Sequence, residues 1–203
     1  MLTEEIKSTL STYFQKLQRP VVLTLNDGEH AERLESLTFL RDITALSPML
    51  TLVELRGGAD TKGLTRRSPI SFSISSAPDD DTTPLPATII FSGIPGGHEF
   101  NSLVLAILHV GGHELKLSES VQSIIKSIEQ PLHFEIFVSL GCHNCPDVVQ
   151  ALNRFSVLNP NIRAEMIDGA LFPDLVAKRN IQGVPSVYVN GEPFATGKVD
   201  TAQ

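Results

Sequence analysis

Two long stretches of this chain repeat one another in order, and that repetition constrains the fold more than any other feature. Ala45-Leu46-Ser47-Pro48-Met49-Leu50 recurs as Val157-Leu158-Asn159-Pro160-Asn161-Ile162, and Leu55 then matches Ile167. Pro20 precedes the apolar run Val21-Val22-Leu23-Thr24-Leu25 as Pro131 precedes the run that starts at Leu132. Pro69 leads into Ile70-Ser71-Phe72-Ser73-Ile74 as Pro185 leads into Ser186-Val187-Tyr188-Val189-Asn190. Together the matches describe two copies of one α/β unit, each reading helix, strand, helix, strand and Pro-led strand. The expected halves are residues 1–113 and 114–203, meeting near Gly111-Gly112-His113.

The halves differ in one chemical respect. The only two cysteines, in Cys142-His143-Asn144-Cys145, both lie in the second half. Carried across by the strand alignment, their positions fall on Ala31 and Leu34, so the first half cannot exchange disulfides. The motif follows an aromatic and β-branched run, Leu132 to Val138, and the turn Ser139-Leu140-Gly141. Val148, Leu152 and Phe155 repeat behind it at helical spacing. Such a strand-to-helix junction is expected to place Cys142 at the helix N-terminus, where the dipole favours thiolate, with Cys145 one turn further in as the resolving thiol. Pro146 is compatible with a first helical turn. A structural zinc site would need a second Cys pair or suitably spaced histidines, and neither is present. A structural bridge across so short a loop would restrain the unfolded chain little. A redox-exchanging dithiol is therefore the leading reading. His143 reads either as a cation beside the thiolate or as a solvent-exposed residue at the helix start.

With 203 residues, 41% of them hydrophobic, the chain is large enough for two small units, and no apolar run is long enough to span a bilayer. A formal net charge of −7 disfavours a nucleic-acid partner. Asp79-Asp80-Asp81 reads as a solvated loop, since the glycine and downstream Glu of a calcium loop are missing. No basic, apolar leader follows Met1, and the cysteine usage fits a reducing cytoplasm. Residues Glu99 to Val110 form an apolar-faced helix after the first half's last strand. Its counterpart should start near Asp200-Thr201, so the last helix reads as truncated at Gln203 and the chain as a piece of a longer polypeptide.

A strand, a CxxC at a helix start, a return strand and Gly183-Val184-Pro185 before another strand resemble the thioredoxin fold. Narrower strings, Ser139 to Asn153, Val157 to Pro160, and Gly97-His98-Glu99-Phe100 followed by Asn101 to Ala106, resemble the N-terminal domain of the alkyl hydroperoxide reductase F subunit. The fold this implies is two tandem thioredoxin-like (glutaredoxin-like) α/β units packed as one body, the first lacking the CxxC. The function it implies is the dithiol arm of a peroxiredoxin reductase. A C-terminal flavoprotein portion would take electrons from NADH through FAD and a second Cys pair. The arm would then reduce the disulfide of a peroxiredoxin, the C subunit, within a homodimeric cytoplasmic protein. Neither a dinucleotide-binding glycine fingerprint nor a second Cys pair occurs in this chain, so no cofactor or metal is expected in it.

The resemblance gives Cys142 and Cys145 the catalytic role and places His143, Val184 and Pro185 at the substrate, with a cis bond before Pro185. Thioredoxins carry a buried Asp six residues ahead of the first cysteine; here that position is Ile136. The family pattern offers Glu99 as the replacement base, against a plainer reading as an acidic residue in a first helical turn. Pro185 could equally be a strand-initiating proline, and its repeat at Pro69 would let a cis bond belong to the fold. A free-standing tandem protein disulfide oxidoreductase, like those of archaea, is the enzymatic alternative. A non-catalytic interaction module is the third.

Overall fold

A computed structural model of the chain describes residues 2–56, 67–77 and 88–197. Asp79-Asp80-Asp81 and the helix expected near Asp200 lie outside them. The first half contributes α1 (Glu4–Phe14), β1 (Val21–Leu25), α2 (Arg33–Thr44), β2 (Leu50–Glu54), β3 (Ser71–Ser76), β4 (Ile89–Ser92), a 3₁₀ turn at Gly97–Glu99, and α3 (Phe100–Val110). The second contributes α4 (Glu119–Lys126), β5 (Leu132–Val138), α5 (Cys145–Leu158), β6 (Ile162–Asp168), α6 (Pro173–Lys178), β7 (Ser186–Val189) and β8 (Glu192–Thr196). The repeat is visible at the residue level. α1 and α4 each start on a hydroxyl cap, Thr3 accepting from the Ile6 N–H and Ser118 from the Val121 N–H, both at 3.3 Å. The pattern of Pro-led strands does not announce α6, a helix of six residues without one fully buried side chain.

The eight strands of the described residues form one sheet in the order β2-β1-β3-β4-β6-β5-β7-β8. The halves join where β4 pairs parallel with β6, Phe91 opposite Met166 and Ile90 opposite Glu165. Alternation along these strands then decides which face each side chain serves. Phe91, Ile136, Ala164 and Met166 face a continuous core that also takes Leu103 and Ile107 of α3 and Val148 and Leu152 of α5. α3 and α5 pack together over the junction, so the first half's last helix supports the helix that starts at Cys145.

On the opposite face of the junction the sheet carries charge. Glu135 and Glu165 stand side by side on β5 and β6. Arg67 of the first half bridges them, its Nε 2.6 Å from Glu165 Oε1 and its Nη2 on Glu135. Ser92 donates to Glu165 at 2.6 Å and is bonded to Ser71 at 2.7 Å, while His133 Nε2 lies 3.0 Å from the other Glu165 oxygen. Arg179 pairs with Glu135 at 2.7 Å and stacks over Tyr188. Burial alone would raise the Glu165 pKa; the bonds from His133, Arg67 and Ser92 overcome it and hold the value at about 2. This network ties the halves with directional bonds that an apolar seam lacks.

Candidate functional site

β5 delivers the chain to a tight turn in which the Cys142 N–H donates to the Ser139 carbonyl at 2.9 Å. Cys142 and Cys145 are joined as a disulfide. Cys145 is fully buried and is the first residue of α5, with Pro146 in the first turn. The helix therefore begins three residues later than the sequence suggests, and Cys142 precedes it. Pro146, with φ preset for helix entry, marks where the helix can start. Dipole stabilisation fades beyond the first turn, so it acts less on Cys142 than expected. What distinguishes the sulfurs instead is access, Cys142 being half-buried and Cys145 sealed.

Two other segments close on this turn. Val184-Pro185 has a cis peptide bond, and the Val184 carbonyl oxygen lies 3.9 Å from Cys142 Sγ. Pro69, the repeat counterpart, has no cis bond, so the cis geometry is confined to the half that holds the cysteines among the described residues. From the first half, Gly96 to Glu99 lies against Leu140. The His98 N–H donates to the Leu140 carbonyl at 3.1 Å, and Gly97 has φ +54°. A Cβ at Gly97 would stand 2.5 Å from the Leu140 oxygen, so both the backbone conformation and the space require glycine. The rings of His98 and His143 meet at 4.1 Å, both on the exposed rim.

Glu99 ends the 3₁₀ turn and caps α3, which starts at Phe100, one residue later than the sequence indicates. Its side chain is fully buried where this turn packs against α5. Neither carboxylate oxygen has a hydrogen bond of good geometry among the described residues. Burial pushes the Glu99 pKa up to about 7, with the Ser102 side chain offsetting part of the rise. Ile136 is also fully buried, so the position of the missing Asp is apolar. In the first half, the position matching Cys145 is Leu34, which is 73% exposed on α2. The sequence does not reveal the His98–His143 contact, the place of Ser102, or the Glu135–Glu165 network. A Glu in the middle of each apolar strand, Leu132 to Val138 and Ile162 to Asp168, is the available signal for the last. Among the described residues no three His, Cys, Asp or Glu side chains converge on a metal-sized site, and no helix is long and apolar enough to cross a membrane.

Residues 132–203 match the family model of the thioredoxin domain. The alkyl hydroperoxide reductase F subunit of Pseudomonas aeruginosa is 45% identical over 201 residues, 98% of this chain and 36% of that protein. The solved NTD_N/C domain of alkyl hydroperoxide reductase AhpF from Enterococcus faecalis superposes with a TM-score of 0.87 at 35% identity, covering 100% of this chain and 97% of that one. The chain belongs to the family of alkyl hydroperoxide reductase F subunit N-terminal domains. It spans about a third of the length of the full-size relatives, which include a Bacillus subtilis protein named NADH dehydrogenase, 40% identical over 199 residues and covered to 36%. A protein disulfide oxidoreductase from Aeropyrum pernix shares the tandem fold, with a TM-score of 0.84 at 20% identity over 100% of this chain and 90% of that one. The Cys142–Cys145 disulfide lies within the residues that match the thioredoxin domain.

Proposed function

We propose that this chain is the dithiol arm of a peroxiredoxin reductase, with residues 1–113 as a redox-inactive platform and residues 114–203 as the exchanging unit. The observation that carries the reading is a disulfide with one half-buried and one sealed sulfur in a chain related end to end to the F subunit domain. In the reduced state the Cys142 thiolate attacks one sulfur of the peroxiredoxin disulfide. A mixed disulfide forms and the other peroxiredoxin sulfur leaves as thiolate. Cys145, deprotonated, then attacks Cys142 Sγ, which releases the second peroxiredoxin thiolate and closes the Cys142–Cys145 disulfide. Two electrons pass to the peroxiredoxin, and its thiolates take up protons.

Glu99 is the base in this reading. Its pKa of about 7 lets it accept the Cys145 proton near neutral pH and return it on the next cycle. Val184, Pro185 and His143 border Cys142 and would contact the incoming disulfide. The arm is recharged by the remainder of the longer protein, where FAD and NADH would be held and supply the electron pair. Cytoplasmic location is supported by cysteine usage, and a homodimeric longer protein by family likeness alone.

Cys145→Ser should trap a mixed disulfide with a peroxiredoxin, and Cys142→Ser should not. Trapping by Cys142→Ser alone reverses the order of the thiols, and trapping by neither overturns the proposal. Equal rates on insulin and peroxiredoxin disulfides would favour a general oxidoreductase. Glu99→Gln should slow exchange something like tenfold to a thousandfold with little change in partner binding. A reduction potential above about −200 mV would make the chain too weak a reductant for this role.

A further inference from the structure

α3 and α5 pack together, and a short polar chain that begins at Glu99 runs between them. Ser102 follows Glu99 by three residues, which sets both on one face of the helix start, and both are fully buried. From α5, the helix that Cys145 opens, Gln150 reaches across and donates its Nε2–H to Ser102 Oγ at 3.2 Å. A serine hydroxyl has a single proton to give. In a helix that proton usually returns to the carbonyl one turn back, as Ser156 does to Leu152 at 2.9 Å. Ser102 makes no such bond among the described residues, and its oxygen is already occupied as acceptor by Gln150. Its proton is thus left for another acceptor, and the neighbouring group that lacks one is the Glu99 carboxylate.

We infer that Ser102, held by Gln150, is a positioning residue that aims its hydroxyl proton at the Glu99 carboxylate and so couples the first half's base to the helix carrying Cys145. The inference deepens the proposed function and rests on Glu99 acting as the base there. A hydroxyl bonded to a carboxylate is stronger when the acceptor is charged, so Ser102 favours the ionised Glu99 against its burial. That matches its role in restraining the Glu99 pKa. Gln150 makes the arrangement sensitive to α5: a shift of that helix on reduction would loosen the bond that fixes the serine rotor. Gln150 also lines an open cleft with His109, His113 and Arg154, so the polar chain leads from the sealed carboxylate toward solvent. The other titratable groups on the surrounding elements are His98 beside Glu99, Cys142 and His143 on the dithiol turn, and Cys145 and Asp147 at the start of α5. Behind Gln150 stand His109, His113 and Arg154; burial, with the charges of Arg154 and His113, lowers the His109 pKa to about 4.

The test follows the Glu99 carboxyl carbon by NMR through a pH titration of the oxidised chain, in which the sulfurs do not titrate. Ser102→Ala should raise the Glu99 midpoint by about half to one pH unit. Ser102→Thr should restore it, and Gln150→Leu should move it the same way by a smaller amount. In the reduced chain the pH profile of disulfide exchange should shift upward in parallel. An unchanged midpoint in both Ser102→Ala and Gln150→Leu overturns the inference and leaves Glu99 as base untouched. An exchange profile in Glu99→Gln identical to that of the unaltered chain overturns the base itself, whatever Ser102 does.

Discussion

Glu99 and Glu165 are both sealed from solvent, yet their carboxyl groups are in opposite states. Glu165 is ringed by Arg67, His133 and Ser92 and stays ionised down to a pKa of about 2. Glu99 has no cation beside it in an ion pair among the described residues, and its pKa rises to about 7. Burial is common to the two; partners are what differ. A buried carboxylate paired with cations is a fixed charge that holds strands in register, whereas one without a cationic partner costs stability and is poised to trade a proton. The first is an architectural device at the seam between the halves, and the second stands on the opposite face, in the turn that presses on the dithiol loop. Where a buried charge sits in the fold says less about its use than what faces it.

The largest expected effect breaks the satisfied member. Glu165→Gln should cost about 3–5 kcal/mol in chemical denaturation, because Arg67 would be left largely buried without its main counter-charge. Since the Glu165 pKa is depressed, its contribution is complete above the ordinary carboxylate value of about 4.3 and is lost as pH falls from there toward about 2. The variant should therefore lose less stability than the unaltered chain over that acid range. A cost under about 1 kcal/mol would mean that the network is replaceable and that apolar packing alone holds the halves. Next in size is Gly97→Ala, expected to cost about 2–3 kcal/mol from the left-handed φ and the approach to the Leu140 oxygen. By loosening the turn it should also let water reach Glu99, so the carboxylate should titrate nearer its ordinary range in the same NMR experiment.

These residues show what the sequence can carry. The order of elements is readable because hydrophobic periodicity and the Pro-led strands are local, as is the disabled state of the first half, which needs only the alignment of Ala31 and Leu34. The start of α5 lies three residues beyond its expected place because a turn preceding Pro146 resembles a helix start in pattern. α6 escapes a reading of the pattern because a six-residue helix with no fully buried side chain leaves little periodicity. Glu99 stands out only through family resemblance, since its burial arises from contact with residues some fifty positions away. The pairing of Glu135 with Glu165 depends on strand register, and the closure by Arg67 joins positions 98 residues apart. Register of that kind is a property of the assembled sheet.

Glu99→Gln inverts the expectation for Glu165. A raised carboxyl pKa means that the folded chain keeps a proton the unfolded chain has lost, so stability falls as pH rises from about 4.3 to about 7 and stays lower above it. The full linkage is about 4 kcal/mol. A buried Gln amide with unmet hydrogen bonds returns part of that cost, so the variant should gain about 1–2 kcal/mol at pH 8 and gain nothing at pH 4. Melting the two proteins at both pH values checks it. A gain that is equal at the two pH values would show that Glu99 does not change protonation between them, and the contrast with Glu165 would collapse.

The smallest effect is expected at His98, the residue next to Glu99 in sequence but on the solvent side of the same turn. Its ring meets that of His143 at 4.1 Å with a 57° tilt, and both residues are exposed. Its backbone N–H, bonded to Leu140, survives any substitution other than proline. An exposed ring pair lies at the low end of the roughly 0.5–1.5 kcal/mol that aromatic contacts contribute. His98→Ala should therefore cost about 0.5 kcal/mol, leave the Glu99 titration where it is, and slow disulfide exchange far less than Glu99→Gln. Stopped-flow exchange with a peroxiredoxin disulfide, run on both variants at pH 7, makes the comparison direct. Equal slowing in the two would move the chemistry from the sealed carboxylate to the paired imidazoles on the rim, and Glu99 would then be a cost of burial with no catalytic return.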